Sequence, residues 1–87
     1  MSDPVLNFVS ILGHQVNAGC ENFPEGARVV IVNKTSGETM PNPVTPASGT
    51  APLGINLPDD FPSGAYYLKG LDKDGGYLAQ SVEFYFG

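Results

Sequence analysis

The chain has 87 residues, enough for one domain spanning 1–87 that buries only about 60 to 65% of its unfolded surface, so its stability is expected to be modest. Nine acidic against four basic side chains leave a net charge of −5, which repels phosphate backbones and anionic lipid and argues against nucleic acid or a membrane surface as partner. A single cysteine, Cys20, closes no internal disulfide, so the fold must rest on packing or self-association, and a free thiol points to a reducing compartment.

No apolar run approaches the ~18 residues of a membrane span, and Met1-Ser-Asp-Pro lacks the basic and apolar stretches of a secretory signal. The expected location is cytoplasmic if Met1 is the native start, and extracellular if the domain was cut from a larger surface protein. Eleven glycines and eight prolines are scattered between short apolar runs, which is the punctuation of short strands and tight turns.

In chain order, Val5 to Leu12 is rich in β-formers and closed by Gly13, which predicts a first strand. Gly19 to Pro24 fits a brief second one. Ala27 to Asn33 is the strongest strand signal, because Val29, Val30, Ile31 and Val32 are four successive β-branched residues, stiff in a helix and well packed on a pleated surface. Thr39 to Gly49 holds Pro41, Pro43 and Pro46 without a charge, so a loop or irregular edge is expected there. Thr50 to Leu57 resumes an alternation with Leu53, Ile55 and Leu57 on one face, and Pro58 to Gly64 turns the chain.

The last third predicts a hairpin: Ala65 to Asp72, a turn at Lys73-Asp-Gly-Gly76, and Tyr77 to Phe86. Alternation places Tyr66, Leu68 and Gly70 on one face and Tyr67, Lys69 and Leu71 on the other. In the final strand it sets Val82, Phe84 and Phe86 toward the core, against Ser81, Glu83 and Tyr85. About seven short strands with regular turn signals predict an all-β fold, an immunoglobulin-like antiparallel β-sandwich.

Particular residues add to this. Gly19-Cys-Glu-Asn-Phe23, Leu57-Pro58, Pro62-Ser-Gly-Ala-Tyr66-Tyr-Leu68 and Phe84-Tyr-Phe86 follow one another across nearly the whole chain, from Val5 to Phe86. In that order they resemble the landmarks of the immunoglobulin-like domains shared by plexins and transcription factors, the IPT or TIG type, or a related bacterial module. The resemblance departs at Thr39–Gly49. It implies an accessory, spacing or dimerisation role with no cofactor and no chemistry, and fold analogy by itself is a weak warrant for function.

The material for catalysis is thin. His14 and Cys20 are the one histidine and the one thiol; they flank one loop, yet few cations are present to lower a thiol pKa, and two such residues make no zinc set. Asp72-Lys-Asp74-Gly-Gly superficially resembles a calcium loop, but Tyr77-Leu-Ala-Gln follows where further oxygen ligands belong, so a hairpin turn is the better reading. Asp59-Asp60 reads as a solvated turn. Asn33-Lys-Thr35 meets the glycosylation pattern, relevant only in a eukaryotic secretory route. Tyr66 opens a strand at a position where sandwiches place a tyrosine whose hydroxyl ties down a loop.

Apolar side chains on both faces of strand 27–33 require cover on both sides. With that strand and the hairpin in one sheet (C, F and G in immunoglobulin lettering), Val30, Val32, Tyr67, Leu71, Tyr77 and Tyr85 would form an outward, tyrosine-rich interaction face, unless the proline-rich loop, the C-terminal tail or a neighbouring domain covers it. The leading expectation is therefore a non-enzymatic module that binds a protein or self-associates through this face. The alternative is a carbohydrate-binding module with tyrosines stacked on sugar rings and Gln80, Glu83 or Asn33 orienting hydroxyls.

Overall fold

Wherever β-branched and aromatic residues run together between glycines and prolines, the chain is extended in the computed structural model, which describes residues 3–87. The strands are β1 (Val5–Leu12), β2 (Gln15–Phe23), β3 (Arg28–Asn33), β4 (Thr45–Pro46), β5 (Gly49–Asn56), β6 (Gly64–Leu71) and β7 (Tyr77–Phe86). They form two antiparallel sheets, ordered β1-β2-β5 and β4-β3-β6-β7. The sheets pack face to face as a β-sandwich around Val16 and Ile55 from one and Ile31, Tyr66 and Leu68 from the other.

Two boundaries differ from expectation. β2 begins at Gln15 rather than Gly19, so only Gly13 and His14 join it to β1, with Gly13 in the left-handed region at φ 62°. Its extra residues alternate half-buried Gln15 and Asn17 with buried Val16 and Ala18, a two-residue period that was readable. The proline-rich stretch is a broken edge strand: Thr45 and Pro46 pair with β3, and Thr39 bridges to Val32. Met40 N–H donates to the Ile31 carbonyl at 2.7 Å, but the prolines between Met40 and Ala47 interrupt any longer ladder.

Bulges govern which side chains enter the core. In β1 the register slips between Asn7 and Val9, so Leu6 points inward, Phe8 turns out, and Val9 and Ile11 pack inward. In β2 a slip after Cys20 is carried by Asn22 at φ 60°, and it returns Phe23 to the core. Phe23 lies over Gly70, where a Cβ would fall 2.5 Å from Phe23 Cζ; glycine alone leaves β6 room beneath the ring.

The third bulge corrects the expected face of β7. Tyr67 opposes Glu83 and Lys69 opposes Gln80, so Leu68 faces two residues, Ser81 and Val82. Ser81 is buried, and its Oγ accepts the Leu68 N–H at 2.9 Å while its O–H donates to the Val82 carbonyl at 2.8 Å. Ala79 and Ser81 therefore point inward before the bulge and Phe84 and Phe86 after it, with Val82, expected inside, turned to solvent.

Beyond the bulge an aromatic row closes one end of the sandwich. Phe61 meets Tyr66 with ring centroids 5.0 Å apart and Phe86 at 5.7 Å, and His14 meets Phe86 edge-on at 5.3 Å. Tyr66, fully buried as a ring, donates its hydroxyl to the Pro62 carbonyl at 2.7 Å, the loop tie anticipated for this position.

Tyr66→Phe leaves that carbonyl without its donor and is expected to cost about 1–3 kcal/mol, read as a lower denaturation midpoint at constant slope. Ser81→Ala strands a buried N–H and should cost a similar ~1–3 kcal/mol, whereas Val82→Ala should stay within about 0.5 kcal/mol. The reverse order for the two β7 variants would mean that the inward face runs through Val82 and that the bulge is misplaced.

Candidate functional site

The outer face of β4-β3-β6-β7 can be read row by row from the register. Val32 lies between Thr39 and Tyr67, and Tyr67 opposes Glu83; Val30 opposes Lys69, which opposes Gln80; Arg28 opposes Leu71, which opposes Tyr77; Ala65 opposes Tyr85. Val30 and Val32, expected to be contact residues, are 4% and 2% exposed. The flanking strand and the broken edge at 39–46 leave them as the floor of the face and not its surface. The proline-rich segment thus borders the very strand whose second face needed cover.

The remaining members of the expected face are dispersed. Tyr67 and Leu71 are half-buried, and Tyr77 and Tyr85 are exposed. The two exposed rings stand eight positions apart on one strand, about 26 Å at ~3.3 Å per residue, too far for one sugar ring to bridge. Between them run Lys69, Gln80 and an ion pair from Lys34 Nζ to Glu83 Oε2 at 2.7 Å. All four cationic side chains, Arg28, Lys34, Lys69 and Lys73, belong to β3, β6 or the turns that follow them. β1, β2 and β5 together carry one charge, Glu21.

The other candidates resolve into local structure. His14 is exposed in the β1–β2 turn, and Cys20 is buried six residues along β2, about 20 Å away by strand rise, with its Sγ 3.7 Å from the Gly49 carbonyl. The two are not brought together. Asp72 Oδ1 accepts N–H groups from Asp74 at 2.9 Å and Gly76 at 2.7 Å, while Gly75 takes φ 89°, so this carboxylate shapes the hairpin turn. Arg28 Nη1 donates to the Asp72 carbonyl at 3.1 Å and fastens the turn to β3. Asn33 Oδ1 accepts from Thr35 N and Ser36 N, closing a tight Asx turn. Among the described residues no three metal-ligating side chains gather, and no helix is long and apolar enough to cross a membrane.

The exposed apolar side chains gather on two edge strands, a distribution that alternation did not reveal. β1 and β7 each form an edge of their own sheet and run beside one another without backbone hydrogen bonds among the described residues. Among those residues seven large apolar side chains are exposed, and six belong to these two strands: Val5, Phe8, Leu12, Tyr77, Val82 and Tyr85. Phe8 at 66%, Leu12 at 76%, Val82 at 69% and Tyr85 at 70% are the most open. Two of them, Phe8 and Val82, are residues that bulges throw outward, and the set is divided between two faces: Val5, Phe8 and Leu12 lie on the outer face of β1-β2-β5, Phe8 over Gly19, whereas Tyr77 and Tyr85 lie on the outer face of β4-β3-β6-β7 opposite Leu71 and Ala65. Phe8 also walls an open depression of about 300 Å³ with Gly19, Glu21 and Pro52.

No protein-family model matches this chain, and no curated protein is similar to it.

Both ends of the Lys34–Glu83 pair are half-exposed, so Glu83→Gln is expected to change unfolding free energy by less than about 1 kcal/mol, and the change should vanish in 1 M salt. A larger, salt-independent loss in denaturant titrations would make this pair a structural tie.

Proposed function

We propose that this chain is a non-catalytic interaction module of immunoglobulin-like architecture, and that it meets its protein partner through the outward residues of the edge strands β1 and β7. The observation that carries the reading is the gathering of six of the seven exposed large apolar side chains on two adjacent edge strands. Single exposed apolar residues are ordinary on a protein surface; their concentration on two neighbouring strands is the mark of a contact region.

Support for the architecture comes from the strand order. β1-β2-β5 against β4-β3-β6-β7 corresponds to A-B-E against C′-C-F-G in immunoglobulin lettering, and the Tyr66–Pro62 tie falls where such folds place a tyrosine corner. The motifs resembling IPT or TIG domains agree with a spacing or dimerisation role. Support for a non-enzymatic role comes from the separation of His14 and Cys20 and from the use of Asp72 in its own turn. The contact residues on this reading are Phe8, Leu12, Val82, Tyr77 and Tyr85, of which the last two belong to the face expected from sequence.

A photo-crosslinking residue placed at position 8 or 85 in the native host should give discrete protein adducts by mass spectrometry, with far lower yield from position 48, an exposed serine between β4 and β5. Absence of adducts at 8 and 85, or equal yield at 48, overturns the assignment.

A further inference from the structure

Two bulges, one in each of two paired strands, converge on a single spot of the outer β1-β2-β5 face. The slip in β1 turns Phe8 outward over Gly19, where a Cβ would fall 3.0 Å from Phe8 Cε1, so the ring rests on the bare backbone of β2. Covering a glycine accounts for the position of the ring, yet it leaves Phe8 66% exposed. In β2 the slip after Cys20 is fastened by Asn22, whose N–H donates to Thr50 Oγ1 at 3.2 Å and whose Nδ2 donates to the Asp3 carbonyl at 3.3 Å. Glu21, half-buried beside it, shares the outer face with Gly19, two positions and about 6.6 Å along the strand. Phe8, Glu21, Thr50 and Pro52 thus frame the depression of about 300 Å³, with Gly19 as its floor.

Resting on the interaction reading above, we propose that this depression receives a cationic side chain of the protein partner, an arginine above all. Its charge is unbalanced within the chain. Glu21 is the one charge on β1, β2 and β5, and the four cations lie on β3, β6 or the turns that follow them. The ion pair formed among the described residues joins Lys34 to Glu83, so no cation among those residues stands against Glu21. A guanidinium matches the depression on three counts. It stacks on an aromatic ring within about 6 Å of the centroid. Its fork of N–H donors can reach the carboxylate that stands about 6.6 Å along the strand from the glycine beneath that ring. Its apolar stem can lie along Gly19 and Pro52, which line the same depression. A neutral side chain would use the ring and leave Glu21 unmatched. An acidic one would be repelled by Glu21 and by the net charge of −5, which draws a basic partner instead.

Amide spectra of the intact, isotope-labelled chain test this, with N-acetyl-arginine N-methylamide as the probe and its citrulline counterpart, of the same shape and without charge, as the comparison. The expected result is saturable shifts at the amides of Gly19, Glu21 and Thr50 with the arginine probe and no saturation with citrulline. Phe8→Leu and Glu21→Gln should each weaken the arginine probe roughly twofold to fivefold, the size of one exposed cation–π or ion-pair contact. Asp59→Asn, which removes the same charge from an exposed turn, should leave binding unchanged. Urea midpoints measured beside each variant separate lost binding from lost fold. In the native host, the protein captured from position 8 should carry its attachment next to an arginine or lysine. Equal saturation by citrulline, shifts that avoid the depression, or indifference to both Phe8→Leu and Glu21→Gln overturns the cationic site alone, and the interaction reading stands where positions 8 and 85 still give adducts. Absence of those adducts overturns the interaction reading, and with it the partner as source of the cation.

Discussion

A serine hydroxyl standing in for a backbone carbonyl holds the C-terminal half of this sandwich together. Where β7 carries one residue too many, Leu68 N–H loses its ladder partner, and Ser81 Oγ accepts it inside the core. Because of that substitution a single strand can direct Ala79 and Ser81 inward and then Phe84 and Phe86 inward as well, although strict alternation forbids the combination. The aromatic row at the end of the molecule depends on the change of phase. Without it Phe84 and Phe86 would face solvent, and Phe61 and His14 would lose their ring partner.

This explains which parts of the fold were legible in the sequence. The β-branched run of β3, the Asp-Gly hairpin turn, the Leu53–Ile55–Leu57 alternation and the tyrosine at the head of β6 each follow from local chemistry, and each appears where expected. Alternation misplaced Val82, where β7 slips phase, and strands slip likewise at Phe8, at Asn22 and at Leu78. A slip depends on a partner across the sheet or a side chain that replaces a lost acceptor, and neither is visible in a linear pattern. The expected contact face failed in part for a related reason. Val30 and Val32 do point outward, but the broken edge at 39–46 flanks their strand, and two bridging pairs interrupted by prolines leave no strand signature to read.

The two outer faces and the two sides of the sandwich differ in character. Cations collect on and around β3 and β6, the β1-β2-β5 sheet is nearly uncharged, proline guards the β4–β5 side, and the edge strands β1 and β7 carry most of the exposed apolar residues. In a domain this small the same bulges do two jobs. They turn aromatic residues into the core at one position and expose Phe8 and Val82 at another, so core packing and surface chemistry are specified together.

Cys20 lies between the sheets with its sulfur near the Gly49 carbonyl, sealed from water in the closed fold. An electrophile can reach it only during excursions that part β2 from β5 or one sheet from the other. The thiol is therefore a built-in clock: its rate of alkylation counts how often the sandwich opens, with no label to be introduced and no tryptophan to supply a fluorescence signal.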